Sequence, residues 1–437
     1  MKASTRSYPE MLAKLDGLGR FGMKLTLDRI EAILEMLGRP ERRLRAVHVA
    51  GTNGKGSTVA MLDAILRAAG FRTGRYTSPH LVDYRERVAL DGRPAPPEKL
   101  AAAFPRVWTA VERVKEGPAG HPTQFEVGTA LAFLVLAEAG IDLAVIEVGL
   151  GGRYDTTNVL DPLAAVLTHV ALDHTDRLGP DLPSIAAEKA GIIKPGRPVA
   201  IAPQEPEALR VILAEAARRR APVRLVGRDL ACELLRAGEE GTYCRLRGAR
   251  DYGEVRVNLL GAHQAQNAAV AVAAVEALVE QGADIPMDAV QQGLAAVTWP
   301  GRLEVVRRTP RVVLDGAHNP DGLTALAAAL RGVFRRDKVD FLVGITGDRP
   351  VAEMAGLLAP LARRVTVTAV NGGRAPGVDP GRIAAAFAGM EIPVETEPDP
   401  AAALDRALAG MPADGLLCVC GSLHLVGTIR GILQPEE

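Results

Sequence analysis

The residues best suited to chemistry lie in one stretch, Val47-His48-Val49-Ala50-Gly51-Thr52-Asn53-Gly54-Lys55-Gly56-Ser57-Thr58. An apolar strand there runs into a glycine-rich turn, and a helix is expected directly after it. Glycines let the backbone curl so that successive N–H groups point at phosphate oxygens. The helix N-terminus adds the positive end of its dipole. Lys55 supplies a full charge near terminal phosphates, and Ser57 or Thr58 supplies a hydroxyl for a phosphate or its metal. The spacing departs from the usual G-x-x-x-x-G-K-[ST]. Gly51 and Gly54 are three apart, and Gly56 stands between Lys55 and Ser57. A turn with incidental glycines is the weaker reading, because three glycines, a lysine and two hydroxyls coincide at one strand–helix junction.

Other side chains gain meaning from their place on elements. Glu147 ends the apolar run Leu143–Val148, and ligands of open α/β sheets gather at the carboxyl ends of parallel strands. Asp315 ends the run Val312–Leu314 in the same way, with His318 and Asn319 in the following turn. His263, Gln264, Gln266 and Asn267 open an alanine-rich helix, where capping is the plainer reading. Thr123, Gln124, Phe125 and Glu126 open another helix after Gly120 and Pro122, with Phe125 as ordinary core the competing reading. Taken alone, His174 reads as a loop histidine bonded to backbone and Lys189 as a solvated helix lysine.

The elements that must hold these residues alternate between β-branched runs and Ala/Leu-rich runs, which predicts α/β architecture with parallel sheets. Strands are expected at Ala46–Ala50, Leu143–Glu147, Ala164–His169 and Pro198–Ala202, and helices at Leu27–Leu37, Thr58–Ala69, Thr129–Glu138 and Glu207–Arg219. Val223–Leu260, rich in Gly and Arg, reads as a small antiparallel patch or an edge of the sheet. Helices at Gln264–Val279 and Asp288–Ala296 follow. Trp299, Pro300 and Gly301 then punctuate a junction near residue 298. Beyond it, strands at Val312–Leu314, Phe341–Ile345, Val365–Ala369 and Gly415–Val419 alternate with helices at Leu323–Phe334, Ala352–Leu361, Pro380–Ala388 and Ala401–Leu408. Two α/β domains of unequal size are expected, residues 1–297 and 298–437.

Composition narrows the class. About 100–200 residues per domain gives two or three domains for 437 residues. Lys+Arg and Asp+Glu both total 52, so the basic excess of a general nucleic-acid scaffold is absent. Cys232, Cys244, Cys418 and Cys420 lack zinc-finger spacing and read as reduced, buried thiols. Met1–Glu10 has no signal-peptide core, and no apolar run reaches about 18 residues, so a soluble, cytoplasmic protein is expected, without a nucleic-acid or membrane partner.

The chain resembles the folylpolyglutamate synthase/dihydrofolate synthase family of the Mur ligase superfamily. Gly51–Ser57 is similar to that family's phosphate loop. Further likenesses are Thr77–Leu81 with Arg85–Val88, Glu147–Arg153 with Asp155–Asn158, Leu172–Thr175, Glu188–Lys194, Asp315–Pro320 and Cys420–His424. The resemblance implies a P-loop-type parallel-sheet ATPase domain followed by a smaller Rossmann-like α/β domain. It implies ATP held by Asn53, Gly54, Lys55, Gly56, Ser57, Asn267, Arg302 and Asp315, and Mg2+, in two ions, held by Ser78, Glu147 and His174. It implies catalytic roles for Lys189, Asp315 and His318, with Lys189 carbamylated by CO2. Thr123, Gln124, Phe125, Glu126, Tyr154, Asp155 and Thr156 would face the pterin or folate. Tyr154 stands where the family commonly has leucine, and Thr26 where it commonly has glycine.

The activity implied is addition of L-glutamate to dihydropteroate, to reduced folates, or to both, by a monomer. A carboxylate is a poor electrophile, so ATP would convert it to an acyl phosphate before the amine attacks. The protein's share is positioning and charge neutralisation. A polyglutamate-adding enzyme without the dihydropteroate reaction is the near alternative. A UDP-muramoyl-peptide ligase, a P-loop kinase and a non-catalytic nucleotide sensor are more distant. Only about fifty residues precede the phosphate loop, and Glu147, His174 and Lys189 together favour catalysis over sensing.

Overall fold

Strand β1 (Ala46–Ala50) is buried at every position because it runs through the interior of an eight-stranded sheet. The computed structural model describes residues 7–18, 26–370, 372 and 376–434. In that sheet β1 is joined by β2 (Thr73–Tyr76), β3 (Val88–Leu90), β4 (Arg93–Pro94), β5 (Leu143–Glu147), β6 (Ala164–Leu167), β7 (Val199–Ile201) and β8 (Val223–Leu225). Their order is β4-β3-β2-β5-β1-β6-β7-β8. The pairs from β2 to β8 are parallel, and β3 and β4 add an antiparallel edge. Near-continuous apolar runs are what strands covered on both faces require.

A second, antiparallel sheet holds β9 (Ala231–Gly238), β10 (Gly241–Arg247) and β11 (Asp251–Val257). Both readings of Val223–Leu260 are realised: β9–β11 form the antiparallel patch, and Val223–Leu225 pairs with β7 as the edge of the parallel sheet. Between the two sheets lies helix His263–Glu280, whose Val270, Val272, Val275 and Leu278 are buried with residues of both. Its alanines let it approach both faces closely.

The third sheet follows the Thr298–Arg302 linker. It comprises β12 (Glu304–Arg308), β13 (Arg311–Leu314), β14 (Val339–Val343), β15 (Ala362–Val367), β16 (Val394–Thr396) and β17 (Leu416–Cys420), in the order β12-β13-β17-β14-β15-β16. All pairs are parallel except β12 with β13. Cys418 and Cys420 are buried on β17, Cys244 is buried on β10, and all four cysteines are free thiols.

Among the elements that escaped the sequence pattern are two helices and a strand of the first domain. Pro105 reads as a breaker, yet helix Pro97–Lys115 runs through it. Helix Tyr8–Asp16 is short, but its start carried a legible signal, a reciprocal Ser7–Glu10 capping box. Strand β2 is only four residues and contains Gly74 and Arg75. No helix among the described residues is long and apolar enough to cross a membrane.

The expected helix at Thr129 begins earlier, at Gln124, and Thr123 with Glu126 forms its capping box. Glu126 also makes a buried ion pair with Arg29 at 2.8 Å. Removing one partner of a buried pair strands the other charge. Glu126→Ala is therefore expected to lower unfolding stability by about 3 kcal/mol or more in urea titrations, with loss of the cap adding to it.

Candidate active site

The phosphate loop leaves the carboxyl end of β1 and enters helix Lys55–Ala68. Gly54 caps that helix at φ +85°, a left-handed conformation that glycine adopts without strain. The loop is gripped from three directions. A Cβ on Gly51 would stand 1.8 Å from Thr168 Oγ1, one on Gly54 2.3 Å from Asn267 Oδ1, and one on Gly56 2.7 Å from Trp299 Nε1. The N–H groups of Thr52 and Asn53 donate to the His169 carbonyl at 2.8 and 3.3 Å, which fixes the turn further.

Two ammonium groups converge on this loop. Lys55 Nζ donates to the carbonyls of Gly51 and Thr52 at 3.1 and 3.0 Å. Lys189 Nζ donates to the same Gly51 carbonyl at 2.9 Å. Lys189 is buried, 4% exposed, because its helix packs tightly on the loop after β5. A Cβ on Gly152 would lie 2.8 Å from the Lys189 carbonyl. Desolvation, then repulsion from Lys55, lowers the Lys189 amine to about 7. The sequence reading of Lys189 in isolation, a solvated lysine, is thereby corrected; the clue was the Gly151-Gly152 pair that allows the close approach.

Glu147 is buried at the end of β5 and accepts the Ser78 N–H at 3.1 Å. Burial raises its pKa, opposed by Lys55, the Ser78 N–H and Arg302. Ser78 Oγ is buried without a hydrogen-bond partner. A buried carboxylate beside an unpartnered hydroxyl suits a hard cation that keeps several waters and shares phosphate oxygens. His174 is half open to solvent, in a left-handed turn, and partial desolvation, opposed by Asp173, lowers its ring to about 4. Among the described residues no group of three His, Cys, Asp or Glu side chains is clustered for a metal. The oxygen donors Ser78 and Glu147 are brought together, and the His174 ring lies beside Asp173 instead.

The second domain closes over this centre through Asp173. Asp173 pairs with Arg349, accepts from Asn319 Nδ2 at 3.0 Å, and lies 3.8 Å from both His174 Nε2 and His318 Nε2. Although burial opposes it, these neighbours hold its carboxyl well below the usual range. Asn53 of the loop reaches Asp321 Oδ2 at 2.7 Å and exchanges bonds with Asn319 at 3.2 Å. Sequence reasoning missed Arg349 and Asp321, since a lone charge in a loop has no local signature.

The remaining expected residues divide by what they already hold. Asp315 accepts the Leu303 and Ala317 N–H groups at 2.9 and 2.8 Å, tying the linker to the turn after β13. His318 Nδ1 meets the Gly316 carbonyl at 2.7 Å, and burial lowers the ring to about 4, so Nε2 is presented as part of a neutral ring. Arg302 lies beside Gly316 and holds the Gly301 carbonyl at 3.0 Å. Asn267 donates to Gln264 at 2.9 Å, and Gln264 reaches Ser57 Oγ at 3.5 Å.

On the other flank, Asp155 accepts the N–H groups of Gly149, Leu150 and Thr157, organising the loop after β5. Thr156 meets Thr129 at 2.7 Å, which in turn meets the Tyr76 hydroxyl at 3.1 Å. Phe125 stacks on Tyr76 with ring centroids 6.4 Å apart and presses on Gly149. Gln124 reaches Asp16 at 3.1 Å, and Tyr154 is 43% exposed. Thr26 accepts the Asp28 N–H, and Phe21–Leu25 of its segment lie outside the described residues.

Comparison with known proteins identifies the family that shares this fold. Residues 49–275 match the Mur ligase middle domain, and residues 301–423 the Mur ligase, glutamate ligase domain. The dihydrofolate synthase/folylpolyglutamate synthase of Bacillus subtilis (strain 168) is 39% identical over 366 residues, 82% of this chain and 84% of that protein. Its counterpart in Escherichia coli (strain K12) is 32% identical over 430 residues, 98% and 95% of the two chains. Mycobacterium tuberculosis folylpolyglutamate synthase complexed with ADP superposes with a TM-score of 0.91 at 36% identity, covering 98% of each chain. E. coli FolC in complex with DHPP and ADP superposes at 0.87 with 30% identity, covering 99% of each. Family models, sequence and fold agree, and the chain belongs to the dihydrofolate synthase/folylpolyglutamate synthase family of Mur-type, ATP-dependent ligases.

Proposed function

We propose that the protein uses ATP to join L-glutamate by an amide bond to dihydropteroate, to reduced folates, or to both. The observation that carries the reading is the convergence of Lys55 and Lys189 on the Gly51 carbonyl, with Glu147 held in the field of Lys55. These cations rest on loop carbonyls where phosphate oxygens would replace them. In this reading residues 1–297 bind the pterin and most of ATP, and residues 298–437 bind glutamate and add Arg302 and Asp315 to the nucleotide site. The separate sheets on either side of the linker support that division.

The acceptor's carboxylate oxygen attacks the γ-phosphorus, and the bond to ADP breaks. The glutamate amine then attacks the acyl carbon, loses a proton, and expels phosphate. Asn53, Gly54, Lys55, Gly56 and Ser57 hold the phosphates; Asn267, Arg302 and Asp315 complete the nucleotide site. Mg2+, held by Ser78, Glu147 and His174, would supply charge neutralisation at the transferring phosphate. Thr123, Gln124, Phe125, Glu126, Tyr154, Asp155 and Thr156 form the pterin wall. Two of them, Asp155 and Glu126, act by shaping it, since their carboxylates already serve backbone and cap. Arg349 and Asn319 draw the second domain onto Asp173, which excludes water from the reactive acyl phosphate.

In this reading Lys189 works as a carbamate. Its neutral amine attacks CO2, the new N–C bond forms, and a proton leaves to solvent. Lysine ordinarily holds its proton at neutral pH, but with a folded value of about 7 the amine is free for a large fraction of the time there and more so as pH rises. Protein equilibrated with carbon-13-labelled CO2 is expected to show a carbamate resonance that Lys189→Arg removes. The same substitution should lower turnover by about a hundredfold, because arginine keeps a cation where an anion is needed. Full activity in Lys189→Arg would eliminate this role.

Acceptor choice is tested by ADP release with ATP and glutamate, adding dihydropteroate or tetrahydrofolate in turn. Release is expected only with acceptor and glutamate together. ADP release that needs acceptor but no glutamate would identify a kinase instead.

A further inference from the structure

Of the three side chains that grip the phosphate loop, Thr168 follows β6 and Asn267 belongs to helix His263–Glu280. Trp299 is different, because it comes from the linker between the domains. Its indole occupies a notch that exists only because residue 56 has no side chain. A Cβ there would lie 2.7 Å from Nε1 and 3.0 Å from both Cε2 and Cζ2. The ring also lies under the Arg75 guanidinium, 4.8 Å from its centroid. Arg75 sits on β2, three residues before Ser78, and its ion pair with Asp63 at 3.6 Å fixes it to the phosphate-loop helix. The indole therefore touches the first turn of that helix on one side and the strand leading to Ser78 on the other. Three residues further along the linker is Arg302, whose charge acts on both Glu147 and His318.

We propose that Trp299 is a positioning residue: it transmits occupancy of the phosphate loop into the linker and sets Arg302 over the nucleotide. The proposal rests on the ATP reading above. A shift of the Gly56 turn when phosphates bind has no slack to disappear into, since the notch is filled. The indole must move with it, and the linker with the indole. Arg75 keeps the ring flat against the helix through a cation–π contact.

The chain has only two tryptophans, Trp108 and Trp299. Trp108 stacks on Phe104 in the first domain, away from the phosphate loop, so Trp108→Phe leaves Trp299 as the sole indole reporter. In that protein, titration with Mg-ADP is expected to change Trp299 emission with the same midpoint that equilibrium dialysis gives for ADP binding. ADP retained in dialysis without any emission change overturns the proposal and leaves the ATP reading standing. No ADP retained overturns both.

A double-substitution cycle tests whether the Gly56 and Trp299 effects run through their contact. Trp299→Leu is expected to raise KM for ATP and lower kcat, by about tenfold in kcat/KM, while Trp299→Phe, which keeps a flat ring under Arg75, retains most of the rate. Gly56→Ala alone drives a methyl into the indole and should lose at least as much. In the Trp299→Leu background the methyl has room, so its further loss should be only about twofold. Losses that multiply independently, in proteins with unchanged melting curves, overturn the proposal.

Discussion

Replacing Lys55 with alanine is expected to slow amide formation by about a thousandfold. The ammonium is half-buried and held by two loop carbonyls, Gly51 and Thr52, so it is already placed for phosphate and costs no reorganisation when ATP arrives. Its removal also acts on two other groups. Lys55 helps lower the Lys189 amine and opposes the upward push of burial on Glu147. Without it both groups hold their protons to higher pH, so Lys189 becomes a poorer nucleophile for CO2 and Glu147 a poorer metal ligand. Steady-state ADP formation checks the expectation, with a circular-dichroism melt to verify folding. An undiminished rate in a folded Lys55→Ala protein would remove the loop from the mechanism.

Glu147→Gln should also cost about a thousandfold in turnover while leaving the fold intact or firmer. The side-chain carbonyl of glutamine can still accept the Ser78 N–H, so the local hydrogen bond survives. What disappears is the charge, and the fold gains from that. The folded pKa of Glu147 is raised by burial, so its ionised form is disfavoured in the native protein relative to the unfolded chain. That cost is absent below the ordinary carboxylate pKa, grows as pH rises from there to the folded value, and is constant above it. At neutral pH glutamine relieves it, giving an equal or higher melting temperature. Rate dependence on magnesium concentration should shift to higher concentrations. A variant with normal turnover and normal magnesium dependence would show that the cation sits elsewhere. A residue kept at the expense of stability is one held for function.

How much of this could be read in the sequence depended on whether the signal was local. The phosphate loop was legible because strand, glycines, lysine and helix start are neighbours in the chain. Glu147 and Asp315 were placed correctly at strand ends because apolar runs mark parallel strands, and Thr123 with Glu126 marked a helix start. The cost of Asp155 and Glu126 to the fold was not legible. Both read as ligand-facing, and both use their carboxylates to hold backbone N–H groups or a buried arginine. Lys189 looked exposed in one dimension and is buried in three, since its cover comes from a loop some forty residues earlier in the chain. Asp173, Arg349 and Asp321 form their network only when loops from the two domains are brought together, which no local pattern encodes. Trp299 read as punctuation between domains, and its contact with Gly56 joins residues more than two hundred positions apart.

The central claim is that ATP energises a carboxylate, not the amine, at the loop built by Lys55 and Glu147. Oxygen bookkeeping tests it directly. Acceptor labelled with oxygen-18 in its reacting carboxylate is turned over with ATP and glutamate, and the released phosphate is analysed by mass. One labelled oxygen per phosphate is predicted, because the carboxylate oxygen that attacks the γ-phosphorus leaves with it. Unlabelled phosphate, with the second heavy oxygen of each new amide released as water, would contradict the account.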